Sequence, residues 1–291
     1  MPYQNPAKLF LAKHNVVSLS DVIKYTIFLR ESAGINASPP VDLLKIYDHF
    51  GIPRPKLVTL PGQEGATVFN SDKPQILIHQ GDKLTRRRFT EAHELIEFLI
   101  HELPGGFRAD WLKETIFGTN KERICQAGAA NLLMPKETFL PETRRLGVSF
   151  ETGKQLAVLY QVSLIAALFR IADLFPGQAV VVMWRMKNSK TELKRKVPEH
   201  QISMFPKRPP DLSVQKLRVE WAYGEYRDCF IPRNKSIPID SSVYTALGSG
   251  EYTSGEEIIP FGRGLKGYLE NLPISIGEER HVLTFIRPAS L

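Results

Sequence analysis

Apolar residues recur every three or four positions through SLSDVIKYTIFLRESAG (18–34) and PVDLLKIYDHFGI (40–52). That spacing predicts helices with one buried stripe. Ser18, Ser20 or Asp21 is placed to cap the first helix, and Gly34 to end it. The period then changes. KLVTLPG (56–62), GATVFNS (65–71) and PQILIHQG (74–81) are short β-prone runs bounded by Pro, Gly and Asn-Ser-Asp, and NSDKP predicts a hairpin between the last two.

Helical spacing returns at Leu84 in LTRRRFTEAHELIEFLIHE and stops at LPGG. KETIFGTN (113–120) reads as loop or broken helix. KERICQAGAANLLMP (121–135) reads as a helix ending near Pro135, and KETFLPETRRLG, ETGKQLAVLYQ and SLIAALFRIADLF as three more. The last two flank a short turn at Val162-Ser163, the outline of a helix-turn-helix. GQAVVVMWRMK (177–187) is a strand, and the polar, proline-bearing stretch 188–213 a basic linker. Strands are expected at KLRVEWAY, DCFIP and HVLTFIRP, with a helix at SSVYTALGSG. The fold class is therefore α+β.

Composition narrows the picture modestly. The 291 residues are 43% hydrophobic and 24% charged, a chain able to build real cores. No run approaches the roughly 18 apolar residues of a membrane span. The N-terminus lacks a signal-peptide core. Cys125 and Cys229 are the only cysteines, too few for a disulfide framework, which fits the cytoplasm. The net charge of +7 allows an acidic or nucleic-acid partner, but KLTRRRFT and MKNSKTELKRK carry much of it, as a solvated surface and linker would.

The candidate chemistry lies in HELIE, residues 93–97. Residues four apart share one helix face, so His93 and Glu97 can aim at one ion. Glu94 stands about 100° around the helix, where the general base of zinc peptidases takes a proton from water. Such a site needs a third ligand. Glu122, opening the next helix, is the best candidate by spacing and character. Taken alone, H-E-x-x-E also describes a solvated ion-pair face. Cys125 and Tyr160 read as packing residues, His79 as a surface residue, and His101 as neighbouring the site or facing solvent.

The two motif helices together resemble the ImmA/IrrE family of bacterial metallopeptidases. RRRFTEAHELIEFLIHE is similar to its R-F-T-x-A-H-E-x-x-H helix. KERICQAGAANLLMP is similar to its glutamate followed by an alanine-rich helix ending in L-L-M-P. QLAVLYQVSLIAALFRIADL resembles its helix-turn-helix segment. LRVEWAY, FIPRNKSIPIDSSVYTALGSGE and IIPFGRG resemble the GAF-like third domain of its larger members. The resemblance implies a zincin-like metallopeptidase domain at 1–135, a helix-turn-helix-like segment at 136–176, a strand and basic linker at 177–213, and a GAF-like sensor or docking domain at 214–291.

By matched position it makes His93 and Glu122 metal ligands and Glu94 the general base. The edge hairpin before the site would hold extended substrate, with Ile76, Leu77 and Ile78 as candidates. Glu97 departs from the pattern, because the family has a second histidine there. A glutamate still reaches an ion from that position, and one histidine with two carboxylates suits Zn or Mn, with Fe also accommodated. The added charge predicts slower hydrolysis. The function implied is a metal-dependent endopeptidase that cuts a helix-turn-helix repressor. The alternative is a regulator of weak or no activity that binds protein or DNA. Direct DNA reading is disfavoured because the second helix offers mainly Arg170.

Overall fold

The computed structural model describes residues 2–69, 73–103, 121–188, 215–225, 230–261 and 264–289. The chain divides into two compact units, Met1–Gly147 with Glu151–Arg170, and Val148–Phe150 with Ile171–Leu291. It is a mixed α+β protein. The linker 189–213 and the segment KETIFGTN lie outside the described residues, as does the tip of NSDKP.

The first unit opens with α1 (Pro6–Leu11), α2 (Leu19–Ser32) and α3 (Leu43–Phe50). Asn5 caps α1 by accepting from the backbone N–H of Ala7 and Lys8. At α2 the cap is one-sided, with no capping bond accepted by the Ser18 side chain. Ser18 takes the N-cap position while Asp21 accepts from the Ser18 hydroxyl and the Val17 N–H. Gly51, in the left-handed region, ends α3. Strands β1 (Lys56–Val58), β2 (Gly65–Val68) and β3 (Gln75–His79) form a sheet in the order β1-β3-β2. The pair β2–β3 is antiparallel, as the expected hairpin requires, and β1–β3 is parallel.

Helix α4 (Leu84–Glu102) contacts β2 and β3, and also α1, α2 and α5 (Lys121–Leu133). Its Leu95, Ile96, Phe98, Leu99 and Ile100 are fully buried. Each such side chain contributes roughly 1.5–3 kcal/mol of transfer free energy. Helices α6 (Lys136–Leu146), α7 (Phe150–Tyr160) and α8 (Leu164–Leu174) follow where the periodicity places them. The axes of α7 and α8 are bent by 114° at their junction, within the range of helix-turn-helix pairs. No single helix among the described residues is long and apolar enough to cross a membrane.

The second unit is built on an antiparallel sheet in the order β5-β4-β8-β7-β6. Its strands are β4 (Val180–Lys187), β5 (Lys216–Tyr223), β6 (Thr253–Ile259), β7 (Leu265–Ile276) and β8 (Glu279–Pro288). Val180, Val182 and Trp184 alternate into a core with Leu217, Val219, Val282 and Ile286, completed by Val243 and Ala246 of α9 (Ser242–Ser249).

One strand expectation fails. Phe230, Ile231 and Pro232 of DCFIP are not in a strand, and the two residues before them lie outside the description. Proline offers no N–H to a ladder. Residues just beyond it bond to β5 instead, with Asn234 donating to Val219 and Ile237 to Leu217. Strands β6 and β7 carry no period-2 hydrophobic signal strong enough to announce them, since TSGEEII is polar at most positions and LKGYLENLPISI holds Gly267, Asn271 and Pro273.

Candidate metal centre

His93 and Glu97 lie on one face of α4, both mostly shielded from solvent, and the His93 Nε2 to Glu97 Oε1 separation is 3.6 Å. Helix α5 brings a second set of donors to the same place. Glu122, Cys125, Gly128 and Leu132 follow one another at helical spacing along it. The absence of a side chain at Gly128 lets the two helices approach closely, since a Cβ there would stand 2.8 Å from Cγ1 of Ile96. With that approach, Glu122 Oε2 lies 3.5 Å from His93 Nε2. Cys125 Sγ converges as well: its sulfur and the donor atoms of His93 and Glu97 all lie within 4.8 Å of one another.

These separations bear on whether the residues fit a metal ion. At 3.5 and 3.6 Å they exceed good N–H···O hydrogen bonds. They do match the edges of a ligand polyhedron, because donors about 2.0–2.2 Å from a tetrahedral ion stand about 3.3–3.6 Å apart. The donor chemistry fits too, with an imidazole, carboxylates and a thiol within reach.

Glu94 points elsewhere. It is only 4% exposed, and its Oε2 accepts a 2.7 Å hydrogen bond from the Thr67 hydroxyl on β2. Burial pushes its carboxyl up to about 7. The Thr67 bond opposes this, the Glu97 charge adds to it, and His93 and Lys121 oppose it. Gly65, two residues before Thr67 and on the same face of β2, completes the setting. A Cβ at Gly65 would overlap the Thr90 methyl and stand 3.2 Å from Glu94 Oε1.

Lys121 completes the cluster by placing its ammonium on Glu97 Oε1. Burial alone would raise the Glu97 carboxyl, but His93 and Lys121 beside it outweigh burial and hold it below its usual range. Burial and then the Glu97 charge push the Cys125 thiol well above its ordinary range, so it is a neutral thiol in this setting.

Residues 55–172 match the family described as the IrrE N-terminal-like domain, a peptidase family. The radiation response metalloprotease IrrE of Deinococcus radiodurans is 24% identical over 229 residues, which cover 75% of this chain and 65% of that protein. This chain thus spans just under two thirds of that relative's length. The protein of the same name from Deinococcus deserti is 29% identical over 124 residues, 40% of this chain and 42% of that one. Residues 55–172 are thus similar to the ImmA/IrrE family of peptidases. A solved structure described as a Mycobacterium tuberculosis transcriptional regulator shares the fold, with a TM-score of 0.61 at 11% identity, over 99% of this chain and 82% of that one.

Similarity to a metallopeptidase family points to a divalent metal, and this chain brings His93, Glu97, Glu122 and Cys125 to one place with Glu94 beside them. Sequence reasoning missed Thr67, Gly65 and Lys121, and assigned Cys125 to packing. Gly65 and Thr67 share one strand face by period 2, a signal that becomes useful only once β2 is known to lie on α4.

The substrate-strand candidates need correction. Ile76, Leu77 and Ile78 belong to β3, the central strand, which is paired on both sides. Ile76 and Ile78 are fully buried as well. Strand β2 is the edge beside Glu94. His79 serves the fold through Nδ1, which accepts from the Leu60 N–H at 3.0 Å. His101 stacks on Phe69 at 3.9 Å between ring centroids. Tyr160 is buried and donates to Thr138 Oγ1.

Proposed function

We propose that this chain is a cytoplasmic metal-dependent endopeptidase that cuts a helix-turn-helix repressor, so that transcription responds to stress or element induction. The observation that carries the reading is Glu94, a buried carboxylate oriented by Thr67 next to the converging donors of His93 and Glu97. His93, Glu97 and Glu122 would hold one Zn or Mn ion, with Fe also suited. When bound, that ion supplies Lewis-acid polarisation of the scissile carbonyl and of water.

Glu94 supplies the proton chemistry. It takes a proton from the attacking water and passes it to the leaving amine. Before an ion binds, burial holds its pKa up at about 7; the charge of a bound ion would lower it and favour the proton-accepting carboxylate. The edge of β2 that pairs with no strand among the described residues receives extended substrate by strand addition, alongside Thr67. In this reading the first unit is zincin-like, α7 and α8 form a helix-turn-helix-like docking module, and the second unit is a GAF-like sensor.

The test incubates the metal-loaded full chain with purified helix-turn-helix repressors of its source genome. Wild type should generate a discrete pair of fragments. Glu94→Gln should generate none while keeping its metal. Cleavage that persists in Glu94→Gln would overturn the role of Glu94, and cleavage of none of the repressors would overturn the substrate class.

A second reading is a regulator that kept the fold without efficient hydrolysis. Lys121 favours it, because its ammonium already neutralises Glu97. A fold shared with a protein described as a transcriptional regulator is compatible with it.

A further inference from the structure

We propose that Cys125 is itself a metal ligand, its thiolate holding the ion together with His93 and Glu97. This rests on the reading of the site as a metal centre and says which atoms hold the metal. Three donors of different chemistry, an imidazole nitrogen, a carboxylate oxygen and a sulfur, all lie within 4.8 Å of one another. Cys125 is fully buried and sits one helical turn beyond Glu122, on the α5 face that Gly128 allows against Ile96 of α4.

The two candidates on α5 differ in what binding costs them. The Glu122 side chain is 52% exposed. It must shed water and rotamer freedom to bind. The Cys125 side chain is short and already packed in place, so it has little freedom left to lose. Glu122 then approaches the same ion from the solvent side.

Ligation replaces the S–H bond by a sulfur–metal bond and releases one proton to solvent. A thiolate donor selects thiophilic ions, zinc, cobalt, cadmium and iron, over manganese and magnesium. The oxygen-rich set of His93, Glu97 and Glu122 alone would not discriminate in this way.

Cobalt(II) loading of the full chain tests the proposal. Wild type and Cys229→Ser should both show a near-ultraviolet thiolate-to-cobalt charge-transfer band. Cys125→Ala should lose that band, keep the visible ligand-field bands of bound cobalt, and bind cadmium about tenfold or more weakly. X-ray absorption of zinc-loaded wild type should show a sulfur neighbour at about 2.3 Å, a readout that needs no variant to fold. Cobalt bound without the band, or a band that survives Cys125→Ala, overturns the ligand assignment and leaves the metal site standing. Failure of wild type to bind cobalt, cadmium or zinc overturns both together.

Discussion

Lys121 sets its ammonium against Oε1 of Glu97, the residue four beyond His93 on α4. A mostly shielded carboxylate therefore carries a cationic partner from the neighbouring helix. An incoming metal ion has to share Glu97 with that ammonium or displace it.

Lys121→Met should raise zinc affinity about fivefold, the equivalent of about 1 kcal/mol for a partly exposed pair. The same variant in a chelator should be less stable than wild type, because Glu97 then loses its charged partner. Competition against a fluorescent zinc chelator measures the first effect and thermal unfolding the second. Unchanged affinity would mean that the ammonium and the metal do not contend for Glu97.

Glu94 gives the metal-free protein a definite pH dependence. Its folded pKa is about 7, raised from the ordinary 4.5. The folded state thus holds this proton more tightly than the unfolded state does. Stability from this group is complete below pH 4.5, falls as pH rises towards about 7, and is level above that. The neutral isostere Glu94→Gln removes the loss. In chelator, the variant should gain on wild type by on the order of 1–3 kcal/mol between about pH 5 and 8. Thermal unfolding of both proteins across that range measures the difference. A difference that does not vary with pH would show that Glu94 is not held protonated by burial.

Much of this arrangement is legible in the chain. Helix α4, the hairpin before it and the four helices after Lys121 follow from hydrophobic period and punctuation, because each buries one continuous face. His93, Glu94, Glu97 and Glu122 follow from spacing within two helices. Thr67, Gly65 and Lys121 do not, because each acts across an interface between elements. The pairing of β2 with α4 and the register of α5 on α4 are set by long-range packing, which local periodicity does not encode. Cys125 shows the same limit. Alone it reads as a small apolar residue, and only the Gly128–Ile96 approach brings its sulfur to the site.

Gly128 should therefore be intolerant of even one methyl group. Alanine is the better helix former by about 1 kcal/mol. Its Cβ, however, would meet Ile96 Cγ1 at 2.8 Å and Cγ2 at 3.0 Å, and a β-branched side chain has little freedom to yield. Gly128→Ala should cost about 1–3 kcal/mol and lower bound metal, because the donors on α5 retreat from α4. Adding Ile96→Ala should cost less than the two single changes sum to. Denaturant unfolding of the four proteins closes the cycle, and strict additivity would remove the steric explanation.

Arg170 of α8 is bonded inside the fold. It is the basic residue through which the second helix of a helix-turn-helix would face DNA, yet it is 5% exposed. Its Nε donates to the Met134 carbonyl at 3.1 Å and its guanidinium to Asn131 Oδ1 at 2.8 Å. Asn131 stands in the last turn of α5 and Met134 just beyond its end, so Arg170 ties α8 to α5 inside the first unit. Arg170→Met keeps the bulk and removes both bonds, leaving a buried carbonyl without this donor. It should lower stability by about 1–3 kcal/mol. Salt-dependent affinity for a nonspecific duplex, which depends on the net charge of +7, should change only by the loss of one charge. Unfolding and fluorescence anisotropy measured on the same samples separate the two roles. A variant of wild-type stability that no longer binds duplex would make Arg170 a DNA contact after all.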